Sequence, residues 1–209
     1  MVQVILVRHG ETDWNKERRV QGGNSDTLLN EKGKEQAERL ALRLKSEKIQ
    51  AVYSSPLQRA LDTAREIARC HGLEVKTEAG LKELNAGSLE GVPLAVLGRR
   101  LDELLTMAGN DAAQAGDGEV IKRAGGESLP ELQQRAWGAM QRIISQHPDG
   151  VILVVSHYFV ILTIICAVLN LPLTQMRRLR LGVGGISTIV FEDEVPRLTL
   201  LNDSCHLMA

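Results

Sequence analysis

The chain has 209 residues, 44% of them hydrophobic and 24% charged, and a formal net charge of −1. That length and balance suit one globular domain, 1–209, with a full core. The near-neutral charge supplies no overall field for nucleic acid or an anionic membrane, so neither is expected as a partner. Cys70, Cys166 and Cys205 are odd in number and show no CxxC spacing, which points away from a zinc site and a disulfide framework and toward a reducing cytoplasm.

Met1-Val2-Gln3 runs at once into an apolar segment, with no basic n-region, so no secretory signal is expected. Residues 2–7 are short, β-branched and uncharged, the pattern of a strand buried on both faces. Residues 10–29 are polar and glycine-rich and predict a long loop. Asn30 is placed to cap a helix through about Ser46, with Ala37, Leu40, Ala41 and Leu44 on one face. A strand at 51–54 leads into Ser55-Pro56, read as N-cap and first position of a helix that Gly72 ends. A weaker strand follows at 74–77, then the loop 81–91 and a helix over 94–106.

Residues 107–126 are rich in Gly, Ala and Asp and aperiodic, the composition of a flexible covering insertion. Ser128-Leu129-Pro130-Glu131 is a capping box that opens a helix to about Gln146. The run 151–169 is almost wholly apolar and long enough to imitate a membrane span. Ser156-His157 interrupts it, and Pro148-Asp149-Gly150 before it is a turn, so strand, sharp turn and buried helix explain it better. Two last strands are expected at 186–191 and 197–201. Alternating strands and helices predict an α/β, three-layer αβα fold, with a mostly parallel central sheet covered by helices on both faces.

Ligands of such sheets bind beyond the carboxyl ends of the strands. Two histidines stand there: His9 after Val4-Ile5-Leu6-Val7-Arg8, and His157 after Val151-Ile152-Leu153-Val154-Val155-Ser156. They can meet only if their strands are neighbours. Arg8 and Arg59 stand at the same edge and suit phosphate oxygens by their planar forks. Two imidazoles with two arginines suit phosphate rather than a metal. The reading is therefore His9 as nucleophile, its ring oriented by backbone through the other nitrogen. Arg8 and Arg59 clamp the phosphoryl group, His157 as imidazolium stabilises its oxygens, and Glu83 protonates the leaving oxygen. Glu11, close to the nucleophile, is the competing acid.

The run Arg8-His9-Gly10-Glu11-Thr12 with Trp14-Asn15 resembles the opening motif of the histidine phosphatase superfamily, which includes the cofactor-dependent phosphoglycerate mutases. The resemblance continues through Asp26–Gly33, Tyr53–Ala60, Leu81–Gly91, Gly125–Ser128 and Val155–His157, in the family's order and over nearly the whole chain. It implies a phosphoglycerate mutase-like fold, a phosphohistidine on His9, and phosphate binding by Arg8, Arg59 and His157. It also implies a proton donor and acceptor at Glu83, and a place for Asn15 near the phosphate. Gln21 and Gly22 are expected to line the pocket. No metal or cofactor is expected, and the partner is a small phosphorylated metabolite. Family members are often dimers or higher, which leaves a homodimer open.

The chain departs from the family where glycine usually follows the second histidine: Tyr158 stands there. Its ring either narrows the pocket or reaches substrate through its hydroxyl. The family's mutases imply longer chains with more basic and aromatic cover, so the expected activity is a phosphatase. A phosphoglycerate mutase and a catalytically weak phosphate-binding homologue are the alternatives.

Overall fold

A computed structural model describes residues 1–97, 121–122, 124–192 and 195–208. The expected helix at 94–106 lies outside them beyond residue 97, and so does nearly all of the expected insertion at 107–126. Six strands form one sheet: β1 (Val2–Arg8), β2 (Ile49–Ser54), β3 (Val75–Thr77), β4 (Gly150–Ser156), β5 (Ile186–Glu192) and β6 (Val195–Asp203). Their order is β3-β2-β4-β1-β5-β6. The first four are mutually parallel, and β5 and β6 add an antiparallel edge. The sheet is thus mixed, with its parallel part where the sequence places the histidines.

Helices cover both faces. On one side lie α2 (Glu31–Leu44) and α3 (Gln58–Arg69), packed over Ile5, Val7, Val52, Leu153 and Val155. On the other lie α4 (Leu129–Ser145) and α5 (Tyr158–Val168), over Val4, Leu6, Tyr53, Ile152 and Val154. Successive residues of β1 and β4 feed the two cores in turn, as pleating requires. This is why both strands read as continuous apolar runs rather than alternating ones. Among the described residues no helix is long and apolar enough to cross a membrane. The apolar run at 151–169 divides into β4, a turn at His157 and α5.

Two local expectations fail. The loop 10–29 contains a one-turn helix, α1 (Asp13–Lys16), closed by a capping box between Thr12 and Asn15. Four residues are too few to show a helical period. Helix α3 starts at Gln58, not at Pro56, and Leu57 gives it no side-chain cap. Instead Asp26 Oδ1 accepts from the Gln58 amide at 2.7 Å, across 32 residues of sequence. A carboxylate at a helix N-terminus also favours the dipole.

The first turn of α2 presses on the loop after His9. A Cβ on Gly33 would lie 2.0 Å from the Glu11 carbonyl oxygen, so only glycine fits. Asn30 Oδ1 caps the same helix through the Gly33 amide at 2.8 Å. The loop that carries the motif after β1 is therefore braced from outside.

Candidate active site

The parallel register pairs Arg8 with Ser156, so the next residues, His9 and His157, stand side by side. The ladder runs one step further, with the His9 amide donating to the Ser156 carbonyl at 3.0 Å. The two ring centroids are 5.1 Å apart. Strand β2 ends beside them, its Ser55 amide donating to the Val155 carbonyl at 3.0 Å. Three parallel strands thus deliver Arg8-His9, Ser156-His157 and Ser54-Ser55 to one spot.

His9 is buried, and its Nδ1 lies 2.7 Å from the carbonyl oxygen of Gly10. A carbonyl can only accept, so that nitrogen carries the proton and Nε2 keeps its lone pair. Burial holds the ring well below the usual histidine range, and the Arg59 and Arg8 guanidiniums add to the effect. The imidazole is neutral at neutral pH, as a nucleophile must be.

Arg59 is fully buried on the first turn of α3. Its Nη1 and Nη2 donate to the carbonyls of Ser25 at 2.6 Å and Gly22 at 3.1 Å. Burial brings its pKa down to about 10, which still leaves it charged at neutral pH. Arg8 donates from Nη1 to the Leu181 carbonyl at 2.7 Å. The Nε atoms of both arginines and Nδ1 of His157 are buried without a hydrogen-bond partner among the described residues. Unpaired buried donors are costly and rare in folded proteins. All three belong to residues at the carboxyl edge of the parallel strands, where an anion could accept from them.

His157 is fully buried, with Nε2 2.7 Å from Ser55 Oγ. That hydroxyl already accepts from the Leu57 amide at 3.3 Å and is free to donate its own proton to Nε2. With that hydroxyl donating, the ring carries its proton on Nδ1, which has no partner among the described residues. Burial, Arg59, His9 and Arg8 all hold its pKa well below the usual range. The imidazolium expected from the sequence is therefore disfavoured in the free protein, by burial first and then by repulsion from the two arginines. A neutral Nδ1–H is what His157 offers to an oxygen.

Glu83 is buried, and its carboxyl is pushed up, by desolvation above all. Its two oxygens accept from the amides of Leu84 at 2.8 Å and Phe159 at 3.3 Å. Arg135 grips the backbone here, donating to the Glu83 carbonyl at 3.0 Å. Glu11 instead accepts from Asn30 Nδ2 at 3.0 Å and lies 3.7 Å from Lys32. The competing acid is thus committed to the start of α2. Two buried guanidiniums against one carboxyl give the site a net positive charge whether or not Glu83 is ionised, the complement of a phosphate monoester.

The remaining expected residues make contacts around these side chains. Asn15 closes the capping box of α1, its Oδ1 accepting from the Thr12 amide at 3.1 Å. Gln21 Oε1 accepts from Thr12 Oγ1 at 3.1 Å, and Gly22 supplies a carbonyl to Arg59. Tyr158 turns its ring over Arg8, 5.1 Å from guanidinium carbon to centroid. Two further residues join the site: Ser55, which the sequence offers only as a helix cap, and Thr63. Thr63 Oγ accepts from the Gly10 amide at 3.1 Å and donates to the Arg59 carbonyl at 2.7 Å, tying the nucleophile loop to α3. A serine or threonine facing strand ends is a weak signal, since either more often caps or back-bonds a helix. Among the described residues no group of three or more His, Cys, Asp or Glu could hold a metal ion.

A three-layer α/β fold with paired strand-end histidines and buried arginines defines an enzyme class that handles phosphoryl groups. The model of the histidine phosphatase superfamily, branch 1, matches residues 4–204, and the chain belongs to that superfamily. Phosphoglycerate mutase-like protein 4 of Arabidopsis thaliana is 40% identical over 157 residues, 74% of this chain. The match spans just under two thirds, 66%, of that relative's length. A probable phosphoglycerate mutase, GpmB, of Shigella boydii is 37% identical over 196 residues, 93% of this chain and 87% of the relative. Among solved structures, phosphoserine phosphatase from Entamoeba histolytica in complex with 3-phosphoglyceric acid superposes with a TM-score of 0.82. It is 32% identical and covers 99% of this chain and 100% of its own. The chain is thus an enzyme of the phosphatase or mutase kind.

Proposed function

We propose that this protein, acting as a single cytoplasmic domain, hydrolyses the phosphate monoester of a small metabolite through a phosphohistidine on His9. The observation that carries this reading is the ring of His9, fixed through Nδ1 and 5.1 Å from the ring of His157, at a strand edge where three buried donors have no partner among the described residues. Nε2 attacks phosphorus, and the bond to the ester oxygen breaks. Protonated Glu83 gives its proton to that oxygen, which leaves as the alcohol. Arg8, Arg59 and the Nδ1–H of His157 hold the non-bridging oxygens as charge moves onto them. Water then attacks the phosphohistidine, the Glu83 carboxylate takes its proton, and the P–N bond breaks to release inorganic phosphate. The two guanidiniums supply the positive charge, so a chelator leaves the activity unchanged.

Hydrolysis is favoured over mutase activity by the structural neighbour, a phosphatase whose whole chain superposes on this one. The mutase reading keeps its support from the names of the relatives. The test is one assay on phosphoserine, phosphoglycerates and an aryl phosphate, with a trap for an acid-labile, alkali-stable phosphoenzyme. Phosphate release with a trapped intermediate is expected. Interconversion of phosphoglycerates that outruns phosphate release would assign the protein to the mutases. Turnover without any intermediate would remove His9 from the nucleophile's role.

A further inference from the structure

Tyr158 occupies the first position of α5, immediately after His157, and its ring is half-buried. It faces Arg8 at cation–π distance, and it meets the Phe159 ring edge-on at 5.2 Å. The Phe159 amide is also a donor to the Glu83 carboxyl. One turn of helix thus touches both the arginine that would clamp the phosphoryl group and the acid that would serve the leaving oxygen.

Arg8 needs such a partner. Its Nη1 has one carbonyl, from Leu181, and its Nε has none among the described residues. A guanidinium held by one hydrogen bond can swing about its long side chain, and burial already disfavours its charge. An aromatic face over a desolvated guanidinium supplies attraction and also fixes the plane of the fork. That plane decides whether the unpaired Nε–H points to a phosphoryl oxygen.

We propose that Tyr158 is a positioning residue for Arg8, acting through the face of its ring rather than through its hydroxyl. It sets the affinity of the site for the phosphoryl group. This rests on the reading of Arg8 as a phosphate clamp. The ring, not the phenol, is assigned because the observed contact is to the ring face. On this account Tyr158 replaces conformational freedom at that position with a second restraint on the cation.

The test compares the wild type with Tyr158→Phe and Tyr158→Leu, both tolerable at a half-buried helix start. Inorganic phosphate binding is measured by calorimetry, and kcat and KM are measured on an aryl phosphate. Leucine should weaken phosphate binding by about 2- to 30-fold, the span of a cation–π contact from exposed to desolvated. KM should rise by a similar factor with kcat little changed, since the clamp serves ground and transition states alike. Phenylalanine should restore wild-type values. Phosphate affinity unchanged in the leucine variant would overturn the proposal. So would a phenylalanine variant as weak as the leucine one, which would put the hydroxyl in contact with the anion. Binding is read without turnover, so failure of the phosphatase reading leaves this result intact. Retained melting temperatures in both variants separate positioning from loss of fold.

Discussion

The ends of β1 and β4 lie side by side and each carries a histidine, yet the two rings are anchored through opposite nitrogens. At β1, Nδ1 of His9 meets the carbonyl of Gly10, one residue away, and Nε2 stays free. At β4, Nε2 of His157 meets the hydroxyl of Ser55, just past the end of β2, and Nδ1 has no partner among the described residues. Burial and the same two arginines keep both rings neutral. What separates them is the anchor. A backbone carbonyl forces a proton onto His9 Nδ1 and leaves a lone pair, which suits attack. A hydroxyl that donates to His157 Nε2 leaves the proton on Nδ1, which suits holding an oxygen. Equal surroundings with opposite tautomers are enough to divide one pair into two jobs.

The strongest way to break this division is to remove each ring. His9→Ala should lower kcat by roughly 10⁴-fold or more, the scale of losing a nucleophile. It should yield no phosphoenzyme in a quenched single-turnover assay. His157→Ala should lose about 10²–10³-fold, the scale of one oxyanion donor, and still form the phosphoenzyme. Equal losses with no intermediate in either variant would erase the distinction.

The pH profile of kcat/KM sharpens it next. His9 is active when deprotonated, and its pKa is held well below 6.5, so the acid limb falls below that value. Glu83 is active when protonated, and burial raises its pKa above 4.5, so activity is lost as pH climbs through the raised value. The profile is therefore bell-shaped. Glu83→Gln should flatten the basic limb on the residual activity while leaving the acid limb in place. An unaltered basic limb would move the acid role to another residue.

The parts of the site legible in the sequence are those tied to strand ends. Arg8, His9 and His157 sit next to apolar runs that could only be buried strands, and a parallel pairing brings them together without further information. Arg59 was readable from its motif and its place just after a strand. The anchors were not readable. Ser55 before Pro56 carries the local signature of a helix cap, yet α3 starts two residues later and takes its cap from Asp26. That exchange frees the Ser55 hydroxyl for His157, across 102 residues of sequence. Local propensity reports what a residue can do nearby; it carries no trace of a more rewarding partner that only the fold supplies. What lowers the pKa of His157 is invisible in the sequence for the same reason. Burial above all, and then like-charged neighbours from β1 and α3, make an imidazolium unfavourable there, and both come only with the fold.

The smallest expected effect tests the anchor itself. Ser55→Ala removes one hydrogen bond to a buried ring, a contribution of about 0.5–1.5 kcal/mol, or roughly 2- to 13-fold in kcat. The variant leaves His9 and its Gly10 carbonyl untouched, so the phosphoenzyme should still form. Its informative readout is the nitrogen NMR of the His157 ring in the free protein. The wild type should show a protonated Nδ1 and a bare Nε2. With the serine gone, nothing holds the proton on Nδ1, and the Nε2–H form should gain population. If the wild type already carries its proton on Nε2, the Ser55 hydroxyl accepts rather than donates. The ring would then present a lone pair to an anion, and His157 could not be the oxygen-holding partner of His9 without first taking up a second proton.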